Sequence, residues 1–443
     1  MDRRPEIVAL GLAVGLVLAD SSVVILALPD ILDRFNVSID HVAWVLTLFN
    51  LVLAIAAVPA AFLARRVGAA WVASFGLVVF AAASLVCAIA PTFEWLLAGR
   101  AVQAVGGACA VCAALELLVA RMGSDTRAAL VWTAAGAIGA AAGPAIGGAL
   151  TDLISWRAIF AVQVPLALFA LVYTVREKRV APEYVKPHRP SISANLALAL
   201  LSASLTAALF LVVLLLINGW GLTPLGAAVV VTAMPVTAAI TYRVLPTPPS
   251  PLAEAATGLI LVAGGLAALS VLPGKGWGWT LPPQALIGAG LAMALGALTR
   301  LAMAGRMPLA IHGGWTIAAR HAGVVLGLVV LTPVFTHDLQ VQETAAEHAG
   351  TRLVLNAPLS LQHKIDLGSR LQDAINSGSP SRPPDIHPAF EPLGTTGAAP
   401  KLEAAIQDEV DRAVTHAFSR SFLFASLFAL AALIPLGVRR LTA

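Results

Sequence analysis

Few side chains in this sequence could do chemistry, and nearly all of them lie inside stretches that are otherwise apolar. Asp20 sits near the middle of the run from Ile7 to Leu28. An acid at that depth costs about 2.5 to 3.5 kcal/mol on membrane-insertion scales, so something must offset it. Two roles would: a protonation site facing an aqueous cavity, or a structural partner for Arg100. Arg100 and Gln103, three residues apart in a later apolar run, share one helical face and can both point inward. Glu116 falls about 160° round the same helix from Arg100 and close to its end, which reads as a solvated terminus. Asn50, in the second apolar run, joins Asp20, Arg100 and Gln103 as a candidate cavity-lining group. Arg320 and His321 occupy the centre of a much later run, and between Asn195 and Phe335 the one acid is Glu254, near a helix end. Three fates are open to Arg320: lining water, pairing across the chain with Asp20, or receiving an anionic group of a substrate. His321 could titrate in the working pH range or act as a structural donor.

Gly136, Gly139, Gly143, Pro144, Gly147 and Gly148 crowd a single apolar run. Glycines four apart form a flat stripe that a second helix can approach closely, and Pro144 removes a backbone donor and loosens the helix. Such a stripe suits a seam that opens and closes, and equally ordinary small-residue packing. Hydrolytic chemistry has no foothold, since no GxxxxGK[ST], HExxH or GxSxG pattern occurs. Cys87, Cys109 and Cys112 all fall in apolar segments, where a thiol behaves as a small hydrophobe, so neither a disulfide framework nor a metal site is expected. No catalytic set and no cofactor are expected either.

The elements that must position these groups follow from hydropathy. The chain has 443 residues, 58% hydrophobic and 12% charged, which excludes a water-soluble fold. About 20 apolar residues cross a hydrocarbon core of about 30 Å. On that measure helices are expected at Ile7–Leu28, Val42–Ala64, Ala70–Ile89, Glu94–Ala120, Ala128–Leu153 and Trp156–Tyr173. A second set is expected at Asn195–Ile217, Pro224–Tyr242, Ala253–Leu272, Leu281–Leu301, Pro308–Phe335 and Ser419–Val438. The first run is too long for a signal-peptide core and reads as a retained helix. The expected architecture is all-α, with twelve transmembrane helices in two six-helix halves: residues 1–175, a linker at 176–193, and 194–443 with a long outer loop at about 336–415.

Charge placement sets the orientation, because cytoplasmic loops carry the excess of Lys and Arg. Arg3, Arg4, Arg65, Arg66, Arg121, Arg127, Arg176, Lys178, Arg179, Lys186, Arg189, Arg243, Arg300, Arg306, Arg439 and Arg440 fall on one side, against Arg34, Arg157 and Lys275 in the short loops of the other. Both termini are therefore expected in the cytoplasm, in a multi-pass protein of the cytoplasmic (inner) membrane. Trp44, Trp71, Trp95, Trp156, Trp220, Trp277 and Trp279 lie near the helix ends, as an aromatic belt requires. The net charge of +4 brings no basic, aromatic-interleaved patch, so nucleic acid is not an expected partner. The loop from Thr336 to Thr415 carries eleven acids against six bases, and Leu359–Asn376 and Leu402–Phe418 have helical spacing within it. The second of these is expected to lead directly into the last membrane helix. The loop is either a solvated connector or a surface for an outer partner.

Segments in both halves of the chain resemble the drug:proton antiporters of the major facilitator superfamily. Leu18, Ala19, Asp20, Ser21, Ser22, Val23 and Val24, then Ala27, Leu28, Pro29 and Ile31, resemble the LDxTVVNVALPxI signature, with Asp20 in place of its acid. Leu97 to Ala108, with Arg100, Gln103 and Gly106, is similar to RxxQGxG, although Ala104 replaces the first glycine. Gly139, Gly143, Pro144, Gly147 and Gly148 match the GxxxGPxxGG antiporter motif, and Trp156, Arg157, Ile159, Phe160, Val164 and Pro165 match the segment after it. Arg320, Gly323 and Gly327 resemble RxxGxxxG of helix eleven, and Gly221 to Pro235 resembles the turn between helices seven and eight. The inner loop departs from the family's GxLADRxGRR: Ala61, Leu63, Ala64, Arg65, Arg66, Val67, Gly68, Ala69 and Ala70 stand there, and Arg65 replaces the acid that helps latch the inner gate.

The resemblance implies alternating access of the two halves around a midplane cavity and proton-coupled export of small amphipathic compounds by a monomer. In that picture Asp20 and Arg100 couple to protons, and Asp20, Asn50, Arg100, Gln103, Arg320 and His321 line the cavity. Gly139, Gly143, Pro144, Gly147 and Gly148 form the gate, with Arg65, Arg66 and Gly68 at the inner loop. Two other readings stand beside it: a dedicated exporter of an envelope lipid or metabolite, and a non-transporting scaffold or receptor that binds through the outer loop.

Overall fold

The computed structural model describes residues 4–174, 185–244, 248, 250–377, 383–394 and 398–442. Arg3, Arg176, Lys178 and Arg179, counted above toward orientation, lie outside the described residues, as does part of the stretch between Ser377 and Pro400. Among the described residues, eleven helices are long and apolar enough to cross a membrane, and the shorter apolar stretch Ala158–Thr174 supplies the twelfth. No strand occurs among them. The helices are α1 (Arg4–Ile25), α2 (Trp44–Val67), α3 (Ala69–Ile89), α4 (Phe93–Met122), α5 (Asp125–Leu153), α6 (Gln163–Thr174) and α7 (Ile192–Leu214). They continue with α8 (Pro224–Val244), α9 (Pro251–Leu269), α10 (Leu281–Met303), α11 (Leu309–Asn356), α12 (Leu361–Ser377), α13 (Ala399–Ala417) and α14 (Ser419–Ala431).

Local chemistry sets the boundaries. The first helix stops at Ile25 rather than Leu28, and a short helix, Leu28–Phe35, follows. Pro29 explains the break, because its ring collides with the carbonyl four residues back and it has no N–H to donate. Thr92, Ser124, Thr223 and Ser250 cap α4, α5, α8 and α9, each accepting a hydrogen bond from a backbone N–H of the first turn. Gly123, at φ 59°, closes α4 in the left-handed conformation that a Cβ would penalise.

Helices α1 to α6 pack mainly on one another, and α7 to α11 pack with α14. Equivalent pairs in the two sets use the same device. A Cβ on Gly139 or Gly147 of α5 would collide with the α1 carbonyls of Gly15 and Val23, and one on Gly143 with the Ser22 hydroxyl. A Cβ on Gly323 or Gly327 of α11 would collide with the α7 carbonyls of Ala199 and Ala203. Close approach of backbones substitutes here for the hydrophobic drive that lipid removes.

The two sets meet at both ends of the bundle. Toward the end that carries Arg4, Gly314 of α11 lies against Ala57 and Ala61 of α2, and Gly313 meets Leu115 of α4. Toward the opposite end, Gly148 of α5 lies against Pro224 and Ala228 of α8. Of the linker, the described part is tied down by His188, whose N–H donates to the Met307 carbonyl at 2.9 Å and whose Nδ1 accepts from Met307 N at 3.2 Å.

Helix α11 does not stop where its apolar run ends near Phe335. Its 48 residues make a rod of about 72 Å, more than twice the hydrocarbon thickness. The projecting part supports a small helical cap with its own apolar core, in which Val354, Leu367, Ile386, Phe390, Leu402 and Ile406 pack together. The two amphipathic segments expected in this region appear as α12 and α13, and α13 passes into α14 with only Phe418 between them. Phe335 and Phe418, with ring centroids 4.4 Å apart, pin the base of the cap to the bundle.

Candidate functional site

Asp20, Arg100, Gln103, Ser84 and Gln163 come from α1, α4, α3 and α6 and meet in the middle of the first helical set, every one of them buried. Arg100 Nη1 lies 2.6 Å from Asp20 Oδ2, and both side chains are 0% exposed. That contact is an ion pair off the hydrogen-bonding direction; Nη1 donates instead to Gln103 Oε1 at 2.6 Å, and Nε donates to the Val45 carbonyl at 3.1 Å. Gln163 Nε2 donates to Asp20 Oδ1 at 2.9 Å. Gln103 Nε2 donates to Gln163 Oε1 at 2.7 Å and to the Ser84 hydroxyl at 2.8 Å. The guanidinium stacks on Phe49 with its carbon 4.1 Å from the ring centroid, and Phe160 stands 5.7 Å away on α6's side. One group is left over: Arg100 Nη2 is buried with no partner.

A second polar contact joins the two sets. His321 Nδ1 of α11 lies 2.6 Å from Asn50 Oδ1 of α2. The Asn50 amide nitrogen donates to the Leu46 carbonyl at 2.7 Å, so its oxygen is the acceptor and His321 must carry its proton on Nδ1. Ser21, next to Asp20, donates to the same oxygen at 3.3 Å. The chain Ser21–Asn50–His321 therefore runs from α1 to α11 beside the ion pair.

The structure brings together most of the residues singled out from the sequence and separates others. Asp20 is held by Arg100 and Gln163 and is sealed from solvent, so pairing across the chain with Arg320 does not occur. Arg320 has no hydrogen bond or ion pair among the described residues. Glu116 is not a solvated terminus; its carboxylate lies 2.7 Å from Arg65 Nη1, both side chains being largely covered. The reason is neighbourhood: α2 packs along α4 and carries Arg65 to the same level. Gly139, Gly143 and Gly147 pack within the first set, and of the motif glycines Gly148 is the one that touches the second set. Pro144 is buried between them. Arg66 and Gly68 remain at the α2–α3 turn, with Gly68 at φ 113°. Gln163 and Ser84 were not singled out from sequence. A glutamine in an otherwise apolar run is the signal that marks Gln163; Ser84 carries none, since serine is common in such helices.

No group of three or more metal-ligating side chains occurs among the described residues. A cavity of about 430 Å³ opens at the base of the cap, between Ser270, Val271, Leu272, Asp338, Gln342, His416 and Arg420. It is distant in the fold from Asp20, beyond the end of α9 and at the start of α14.

Two sets of membrane-length helices that meet at both ends of the bundle, with a buried acid–arginine pair at the centre of the first set, define a polytopic α-helical membrane protein. The chain belongs to the Major Facilitator Superfamily, whose family model matches residues 10–355. It is 33% identical over 172 residues to the multidrug resistance protein Stp of Mycobacterium tuberculosis, a match covering 38% of this chain and 32% of that protein. It is 34% identical over 170 residues to the methylenomycin A resistance protein of Bacillus subtilis, covering 37% and 36% of the two chains. The matched segments thus span about a third of these relatives. Among solved structures, a bacterial homologue of the human lysosomal transporter Spinster, inward-facing and unoccupied, superposes with a TM-score of 0.64 at 16% identity, covering 98% of this chain and 97% of that one. A D-xylose–proton symporter gives 0.56 at 13% identity, covering 74% and 89%. These two likenesses establish the fold.

Proposed function

We propose that the protein is a secondary active transporter that exports small amphipathic organic compounds in exchange for protons, by alternating access of its two six-helix halves. The observation that carries this reading is the Asp20–Arg100 pair, buried without solvent in the centre of the first half and held by four neighbouring helices. Ionisable groups at membrane depth are costly and mark ion pathways. A proton arriving on Asp20 cancels the attraction to Arg100, whose Nη2 already lacks a partner, and the guanidinium must then find other acceptors. Such a rearrangement in the first half changes how α1, α2 and α4 meet α11, since Ser21 lies beside Asp20 on α1 and Asn50 lies on α2, the helix whose Val45 carbonyl accepts from Arg100. The relatives named as drug-resistance proteins support export as the direction. The Arg-rich end at Arg65, Arg66, Arg121, Arg127, Arg300 and Arg306 faces the cytoplasm, with both termini, and the cap faces outward.

The test is proton movement in proteoliposomes carrying the purified protein, on addition of lipophilic cations, neutral drugs and amphipathic acids, with Asp20→Asn beside the parent. Substrate-driven proton release that vanishes in Asp20→Asn is the expected outcome. Coupling that survives Asp20→Asn removes the role given to this pair. The cap, which has a packed core of its own, favours a second reading in which an envelope lipid or metabolite is passed to an outer partner; silence across the panel selects it.

A further inference from the structure

Arg320 is a cation at the middle of a spanning helix that no acid answers. Asp20 is held by Arg100 and Gln163, Glu116 by Arg65, and Glu254 by Arg300. Among the described residues Arg320 has neither an ion pair nor a hydrogen bond, although guanidinium groups in hydrocarbon ordinarily pair, snorkel or line water. Snorkelling away is ruled out by position. At about 100° per residue, the lipid-facing residues of α11 near this level, Trp315, Ala322, Leu326 and Val329, lie about 180° to 240° round the helix from Arg320 and are all exposed. Gly313 and Gly327 lie within about 20° of it, and they pack on Leu115 of α4 and Ala203 of α7. The guanidinium therefore belongs to the interior face of α11, between the two sets of helices.

The charge balance of that interior then decides what it can receive. The Asp20–Arg100 pair is neutral as a unit, and His321 beside Arg320 brings no negative charge. One net positive charge is left on that face, on a side chain that is half-buried and so open to a guest, and it repels a cationic guest and attracts an anionic one. We propose that the compound carried through this interior bears an anionic group, a carboxylate, sulfonate or phosphate, received by the Arg320 guanidinium, whose planar fork matches such oxyanions bidentately. This deepens the transport reading above and rests on the interior being the substrate pathway.

The test is equilibrium binding of two radiolabelled probes of the same shape, 4-butylbenzoate and 4-butylphenyltrimethylammonium, to the purified full chain in detergent. The parent is expected to prefer the carboxylate. Arg320→Gln should lower carboxylate affinity by about tenfold or more, the scale of a lost charge-assisted hydrogen bond, while leaving ammonium affinity unchanged or improved. Arg320→Lys, which keeps the charge and guards against misfolding, should restore part of it. A parent that prefers the ammonium or binds neither probe overturns the proposal, as does Arg320→Gln with undiminished carboxylate affinity. Proton flux with Asp20→Asn separates the two readings: Arg320-dependent carboxylate binding without coupling sinks the antiport reading alone, and cation-driven coupling indifferent to Arg320 sinks this one alone.

Discussion

Replacing Arg100 by Met, Asp20 by Asn, and then both together turns the central ion pair into a thermodynamic cycle. With both side chains at 0% exposure and 2.6 Å between charged atoms, removing one partner strands the other, at about 3 to 5 kcal/mol for each single change. Removing both strands nothing, so the double variant should cost far less than the sum, leaving a coupling energy of several kcal/mol. The two single variants also differ in kind. After Arg100→Met the carboxylate can escape by taking up a proton, an escape that becomes cheaper by about 1.4 kcal/mol for each pH unit lowered. After Asp20→Asn the guanidinium has no such escape, because arginine stays protonated. Thermal unfolding of the purified protein in detergent, followed at pH 5 and pH 7.5, should show the Arg100→Met deficit shrinking on acidification and the Asp20→Asn deficit unchanged. Additive single and double variants, or deficits that respond alike to pH, would refute the reasoning.

Gln163→Leu removes a donor to Asp20 and an acceptor for Gln103 and Ser84, and should lower stability by about 1.5 to 3 kcal/mol, read from the same unfolding assay. Gly147→Ala drives a Cβ into the Val23 carbonyl and should cost about 1 to 3 kcal/mol through overpacking, visible as a lower unfolding temperature. His321→Leu deletes the 2.6 Å contact to Asn50 and should shift the balance between closed and separated halves by about 0.5 to 1.5 kcal/mol, detected as broader spin-label distances between α2 and α11. In the cap, His387 is held above the ordinary histidine value by its hydrogen bond to Glu403, and by the charge of that carboxylate. Its contribution is therefore present below about pH 6.5 and fades as pH rises through the raised value. A ring-resonance titration of His387, assigned with His387→Gln, should have its midpoint above that of a free histidine and lose the difference in Glu403→Gln.

Much of this was readable before any coordinate. Each apolar run of about 20 residues became a helix because length and hydropathy alone decide what can cross a bilayer, and Asp20 met Arg100 because each needed a partner at the same depth. What stayed hidden depends on which helices are neighbours. Gln163 reaches Asp20 from α6, and nothing in the spacing of either segment says that α6 lies beside α1. Arg65 neutralises Glu116 for the same reason. The glycine spacing in α5 announced a flat face but not its occupant, which is α1 for Gly139, Gly143 and Gly147 and α8 for Gly148. The extension of α11 beyond Phe335 escaped a hydropathy criterion because its residues there, such as Gln340, Gln342, Glu343, Ala345, Ala346 and Glu347, are polar or small yet are good helix formers.

The rods that hold the cap have a mechanical meaning. Helix α11 continues unbroken out of the bundle, and α13 returns almost without interruption into α14, so the cap is clamped to one half at two points. It must ride with that half whenever the halves rock. The 21 residues of α11 past Phe335 make an arm of about 30 Å, so a rocking of about 10° sweeps its tip through about 5 Å. If the halves rock as proposed, the cap is a pointer on a dial, magnifying beyond the bundle a rotation whose pivot is buried within it. A dye placed on α12 would report such rocking without touching the helices that the transport reading sets in motion.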